Sequence, residues 1–182
     1  MSARPPSRIA VVGYPVLSEA DHRWIESVRQ RHDPQAGRIR AHVTMVFPCH
    51  AALDDAHAAV NAACSSCVPI PFTIRGAEAV GNAIGGGASV FLIPDDRACA
   101  RITTLHDRLY QGVLKNHLRR DIPFLPHITV AADSSLERCQ ALARELSERC
   151  RSISGTVDAI DLLDVGPTPL ATLHRFLLAG GR

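Results

Sequence analysis

Residues 38–48 read RIRAHVTMVFP and residues 122–132 read IPFLPHITVAA. Each is an apolar, β-type run entered through polar or Pro-rich residues and marked by one tripeptide pattern: His42-Val43-Thr44 in the first, His127-Ile128-Thr129 in the second. Nine His and 20 Ser or Thr generate about one His-x-Ser/Thr by chance, so the matched context carries the weight. In a strand, residues i and i+2 share a face. His42 and Thr44 therefore point one way while Val43, Met45 and Phe47 point the other; His127 and Thr129 are opposed to Ile128 and Val130 in the same manner. Each strand offers an imidazole and a hydroxyl to a cleft and its apolar residues to a core.

Outward from the first motif, Ile9–Gly13 reads as a strand and Ser18–His32 as a helix. That helix opens with Ser18-x-x-Asp21 and carries Trp24, Ile25 and Val28 on one side. The motif strand, Ala41–Phe47, ends at Pro48. An Ala-rich helix over Leu53–Cys64 follows, then a strand over Pro71–Val80, and Gly85-Gly86-Gly87 reads as a hairpin turn into a strand at 89–93. Around the second motif, a helix after Pro94 places Ile102, Leu105, Leu109 and Val113 on one face before the strand His127–Ala132. Ser134-x-x-Glu137 opens a helix with Cys139, Leu142, Leu146 and Cys150 in one stripe. Strands over Ile153–Val165 and Leu173–Ala179, separated by Gly-Pro-Thr-Pro, close the chain.

The order strand, helix, strand, helix, strand thus appears twice, with one strand added at the end. The strand preceding each motif begins about 33 and about 38 residues before the motif His. The reading is one domain over 1–182 made of two pseudo-repeated lobes, about 8–80 and 88–180, with residues 1–7 expected to be disordered.

Composition narrows the function classes. At 182 residues with 46% hydrophobic and 21% charged residues, the chain is of globular type and one-domain size. Only 4% is aromatic, which disfavours broad base-stacking platforms. A net charge of +2, from 20 basic and 18 acidic residues, argues against sequence-independent binding of long nucleic acid, which needs a dense basic field. Residues 1–7 lack the apolar stretch of a secretion signal, and nothing approaches a membrane span. A soluble cytoplasmic monomer with no membrane partner is expected, and its six Cys read as reduced thiols. Cys64-Ser-Ser-Cys67 has redox or metal spacing without a second such pair, so packing is the simpler reading. Cys49, His50 and His57 form a rival metal set, but a helix over 51–63 keeps His50 and His57 from converging with Cys49 unaided.

The chemistry that fits two His-x-Thr strands is acid–base catalysis at phosphorus. A base removes a proton from the attacking oxygen and an acid protonates the leaving oxygen, and two imidazoles can hold opposite protonation states near neutrality. Two Thr hydroxyls can fix the phosphate oxygens between them, with no metal required. Arg38 and Arg40 precede the first motif, as phosphate contacts or, more simply, as a solvated loop. Phe47 is assigned to the core and Phe124 is open between core and ligand. His22, His32, His106, His117 and His174 receive no role.

At these residues, from the IAVVG strand through both motifs to the last strand, the sequence resembles the 2H phosphoesterase superfamily, the 2′-5′ RNA ligase-like proteins. The resemblance implies a bilobal α+β fold: two antiparallel sheets form a central groove with helices on the outside. It implies His42 and His127 as the catalytic pair, Thr44 and Thr129 as phosphate-binding residues, and no metal or other cofactor. The implied activity is hydrolysis of 2′,3′-cyclic phosphates or a related phosphodiester. RNA 2′-5′ ligation or RNA 3′-end processing, and a non-catalytic nucleotide- or RNA-binding module, are the alternatives. Bacterial family members that process RNA usually carry a basic residue soon after the second motif, where this chain has Val-Ala-Ala-Asp133. With the modest charge, this directs the expectation to a small nucleotide-like substrate, with RNA ends as a further partner.

Overall fold

A computed structural model describes residues 7–82, 86–149, 152–166 and 169–178. The expected disorder of 1–6, Gly85 of the glycine triplet, Cys150, residues 167–168 of the last turn and Ala179 lie outside the described residues. Ser7, expected to be disordered, is already in a strand.

The elements follow the amphipathic pattern closely. β1 (Ser7–Gly13), a two-residue β2 (Val16–Leu17), α1 (Glu19–His32), β3 (Val43–Ala51) and α2 (Leu53–Cys64) come first. β4 (Ile70–Ile74), β5 (Ala77–Gly81), β6 (Ala88–Leu92) and α3 (Asp96–Leu109) follow. β7 (Ile128–Asp133), α4 (Leu136–Arg149), β8 (Ile153–Val157), β9 (Ala159–Asp164) and β10 (Ala171–Leu177) complete the order. Ser18 caps α1 as its spacing predicts, its hydroxyl accepting the Asp21 N–H at 3.1 Å. At α4 the cap moves by one residue: Ser135 Oγ, not Ser134, accepts the Arg138 N–H at 3.3 Å. Val113 falls beyond α3, in a short 3-10 helix over Gly112–His117, and is 51% exposed rather than on the α3 face.

Two runs read as single strands each divide between two sheets. Ile70–Ile74 and Ala77–Gly81 part at Arg75-Gly76, and Ile153–Val157 and Ala159–Asp164 part at Asp158. The first piece of each enters a three-stranded sheet ordered β2-β8-β4; the second enters a seven-stranded sheet ordered β10-β9-β1-β3-β7-β6-β5. All pairings are antiparallel. Gly155 of β8 lies opposite Phe72 and Leu17, and a Cβ there would stand 2.5 Å from the Phe72 ring, so glycine lets the small sheet close.

Apart from the two-residue β2, the β-α-β-α-β-β order occurs twice, from β1 to β5 and from β6 to β9, with β10 added. In space the two units interlace. β5 leaves its own unit to pair with β6, and β9 crosses back to pair with β1. Helices cross as well: α1 packs on β7, and α3 packs on β3 and β4. One buried cluster therefore joins Ile9, Val11 and Val43 to Ile102, Ile128 and Val130. Among the described residues no helix is long and apolar enough to cross a membrane.

Candidate active site

The two motif strands meet at a single pairing, Val43 opposite Ile128. Because the strands are antiparallel, one step to either side sets His42 toward Thr129 and Thr44 toward His127. Directly opposed residues have Cβ atoms about 5 Å apart. Val43 and Ile128 point into the core cluster, so their neighbours point to the opposite face. The seam thus gathers the four sequence-derived candidates on one side of the seven-stranded sheet.

Both imidazoles are held alike. His42 Nδ1 donates to the Arg40 carbonyl at 2.8 Å, and His127 Nδ1 donates to the Leu125 carbonyl at 2.6 Å. A carbonyl only accepts, so the hydrogen of each neutral ring is on Nδ1 and the Nε2 lone pair is free. Burial lowers both pKa values below the ordinary 6.5, against the opposing pull of those carbonyl bonds. For His127 the charge on His42 lowers it further, so protonating one ring disfavours protonating the other.

Their surroundings differ. Phe91 stacks on His127 with centroids 3.6 Å apart and planes at 23°. His42 instead faces the edge of Tyr14 at 6.3 Å, and the Arg40 guanidinium lies 3.9 Å over that Tyr ring. Arg40, exposed in the loop before the motif, is thus engaged with an aromatic face and does not line the groove. Phe47 departs from its core assignment: it is 37% exposed. The reason is local, since β3 shifts register against β1 twice between Thr44 and Cys49, which breaks the alternation of faces. Phe124 stacks on the buried His106 of α3, centroids 3.7 Å apart, and packs against the core.

A buried ion network supports His42 from beneath. Arg29 of α1 is 1% exposed; its Nε donates to Asp33 Oδ2 at 2.9 Å and its Nη1 to Glu26 Oε2 at 3.0 Å. Nη2 donates to the Ile39 carbonyl at 2.8 Å, and Glu26 Oε1 accepts the Ala41 N–H at 2.6 Å. Both neighbours of Arg40 are thereby tied to α1, and the Arg40 carbonyl orients His42. Sequence reasoning missed this network, though it left a trace: Arg29 sits on the same stripe as Ile25 and Val28, with carboxylates three residues before and four after.

A groove of about 390 Å³ opens over the seam, lined by His42, Thr44 and Thr129. It runs away from the seam along β1, where Val12, Ala10 and Arg8 line it in turn. Leu163 and Val165 form one side; Ile39, Arg38 and Gln35 of the α1–β3 loop form the other. A shallower depression between α2 and the turn after α3 is lined largely by alanines. Elsewhere, His57 meets His174 at 4.6 Å between ring centroids and does not join Cys49 and His50 in a ligand set. Among the described residues no three His, Cys, Asp or Glu gather to hold a metal ion. Burial pushes the Cys64 thiol up to about 12 and raises Cys67 too, opposite to the shift a redox-active pair needs.

Comparison with known proteins agrees with this architecture. A family model described as the 2′-5′ RNA ligase superfamily matches residues 17–167. The apo crystal structure of E. coli LigT superposes with a TM-score of 0.59 at 19% identity, covering 97% of this chain and 99% of that one. The crystal structure of TT0787 from Thermus thermophilus gives 0.62 at 17% identity over 96% and 100% of the two chains. Usb1 of Kluyveromyces marxianus gives 0.54 at 13% identity over 92% and 98%. No curated protein sequence matches the chain.

Proposed function

The chain belongs to the 2′-5′ RNA ligase superfamily, and from that premise we propose that it is a metal-independent phosphodiesterase acting on 2′,3′-cyclic phosphates or a related small nucleotide-like phosphodiester. His42 and His127 are its acid–base pair and Thr44 and Thr129 hold the phosphate. The observation that carries this reading is the single Val43–Ile128 pairing, which sets His42 beside Thr129 and Thr44 beside His127, with His42, Thr44 and Thr129 lining the groove above the seam.

The steps balance with these groups alone. One neutral imidazole takes a proton through Nε2 from water as the water oxygen bonds to phosphorus. The other, protonated, gives its proton to the ribose oxygen as the P–O bond breaks, leaving a phosphomonoester and a hydroxyl. The Thr hydroxyls donate to the non-bridging oxygens as charge builds there. The negative charge of the bound cyclic phosphodiester favours the imidazolium, and mutual repulsion keeps the second ring neutral, so one of each is available. In support, crystal structures of E. coli LigT are described as complexed with 3′-AMP, with ATP and with phosphate.

The test is turnover of 2′,3′-cyclic nucleotides in EDTA. Wild-type protein is expected to release the monoester, and His42→Ala or His127→Ala to slow it by about 10²–10⁴-fold. Unchanged turnover in both variants, or turnover that EDTA abolishes and a divalent metal restores, refutes the assignment. RNA with 2′,3′-cyclic and 5′-hydroxyl ends tests ligation through a 2′-5′ bond, in which the 5′-hydroxyl attacks phosphorus in place of water.

A further inference from the structure

We propose that the groove carries a second anion site, at Arg8 and Arg38, and that the preferred substrate is a nucleotide bearing a 5′-phosphate besides its cyclic phosphate. This rests on the reading above, since it takes the seam as the place of the scissile phosphate.

Three observations carry it. Along β1, Val12, Ala10 and Arg8 occupy alternate positions and line the groove in that order. Val12 lies opposite Thr44 in the β1–β3 register, so the series starts at the catalytic end. Each two-residue step advances about 6.8 Å, which sets the Arg8 backbone about 14 Å from that level. A guanidinium reaching back from there meets an anion one nucleoside away from the scissile phosphate.

The middle of the groove is apolar, formed by Ala10, Ile39, Leu163 and Val165. Leu163 stands opposite Ala10, and the small Ala side chain leaves a shelf on which a sugar or base can lie. The far end is cationic. Arg8 and Arg38 line it, and among the described residues neither is in an ion pair with a carboxylate. Asp33 is the acidic side chain that lines the groove, and it is already satisfied: Oδ2 accepts from the buried Arg29 and Oδ1 from the Gln35 N–H at 2.9 Å. Both of its oxygens are thus engaged away from the two arginines. A cationic end, an apolar shelf and a phosphate-transfer end in one groove match a nucleotide phosphorylated at both ends of its ribose.

Two measurements on the intact protein test this. Calorimetry compares binding of 3′-AMP with that of adenosine 3′,5′-bisphosphate, and turnover compares adenosine 2′,3′-cyclic phosphate with its 5′-phosphorylated form. The extra phosphate is expected to improve Kd and kcat/KM by about tenfold at low salt, less at high salt. Arg8→Ala/Arg38→Ala is expected to erase that ratio. Equal binding of the two nucleotides by wild-type protein, or a ratio that survives the double substitution, overturns the proposal. If the bisphosphate binds better through these arginines but neither cyclic substrate turns over, the anion site stands and the hydrolytic reading fails. Turnover without any 5′-phosphate preference does the reverse: hydrolysis stands and the anion site fails.

Discussion

Replacing Arg29 with Met keeps the bulk of the side chain and removes only the guanidinium, so it isolates what the buried network contributes. The loss is set by what remains behind. Asp33, with its side chain 4% exposed, keeps a carboxylate whose cation is gone, and the Ile39 carbonyl loses its donor. Glu26 is 17% exposed and can turn partly to water, so Asp33 dominates. Stranding a buried charge in this way costs about 3–5 kcal/mol. For a chain of this length that corresponds to a Tm lower by about 6–20 °C. Urea unfolding at neutral pH followed by circular dichroism measures it, and E26Q/R29M/D33N should recover part of the loss because no charge is left unpaired. A loss below about 1 kcal/mol for Arg29→Met would mean that the guanidinium behaves as a solvated surface group, and would refute the account. Folded Arg29→Met protein should also turn over substrate more slowly, because the loop that fixes the Arg40 carbonyl under His42 loses its Ile39 tie to α1 and keeps only the bond from Ala41 to Glu26.

Two further outcomes follow from geometry and charge. The fold holds His42 and His127 below 6.5, so the unfolded chain binds their protons more readily. Their stabilising contribution is present above about pH 6.5 and is lost as pH falls through the folded values. Urea titrations between about pH 7 and pH 5 should show this slope, and His42→Ala/His127→Ala should flatten it; phosphate, which favours the imidazolium, should bind more tightly over the same fall. At the β5–β6 hairpin, Gly87 has φ +79° and a Cβ there would stand 2.6 Å from the Asp133 carbonyl oxygen, whereas Gly86, at φ +72°, has open space. Gly87→Ala should cost about 2–5 kcal/mol and Gly86→Ala about 1–2, compared by thermal unfolding; equal costs would show that the carbonyl contact is immaterial.

The helices and the motif pair are legible in the sequence because their signals are local. Leu53–Cys64 follows from its apolar spacing alone, and His42 with Thr44 from strand alternation. Sheet membership is not legible, since apolar residues continue across Arg75-Gly76 and across Asp158, and nothing local records that the chain there changes sheets. Phe47 escapes the alternation rule because β3 twice carries an extra residue against β1 between Thr44 and Cys49, an offset that shows only once the two strands are paired. Phe91 and Tyr14 reach the two imidazoles only through cross-strand neighbours. Arg29 hides in the same way: a charge on an apolar stripe reads as an exception until the backbone groups it bonds are brought beside it.

The interlacing of the two β-α-β-α-β-β units bears on how such a chain arises and assembles. Because β5 completes the neighbouring unit and β9 returns to β1, either unit alone would expose an unpaired strand edge and half a core. Two copies of one half-length chain, each lending its final strand to the other around a twofold axis, would satisfy the same edges and bring two His-Thr strands face to face at that axis. The present chain has the layout expected of such a strand-exchanged homodimer after gene duplication and fusion. Cut between β5 and β6, its halves should be insoluble apart and regain a common sheet when refolded together.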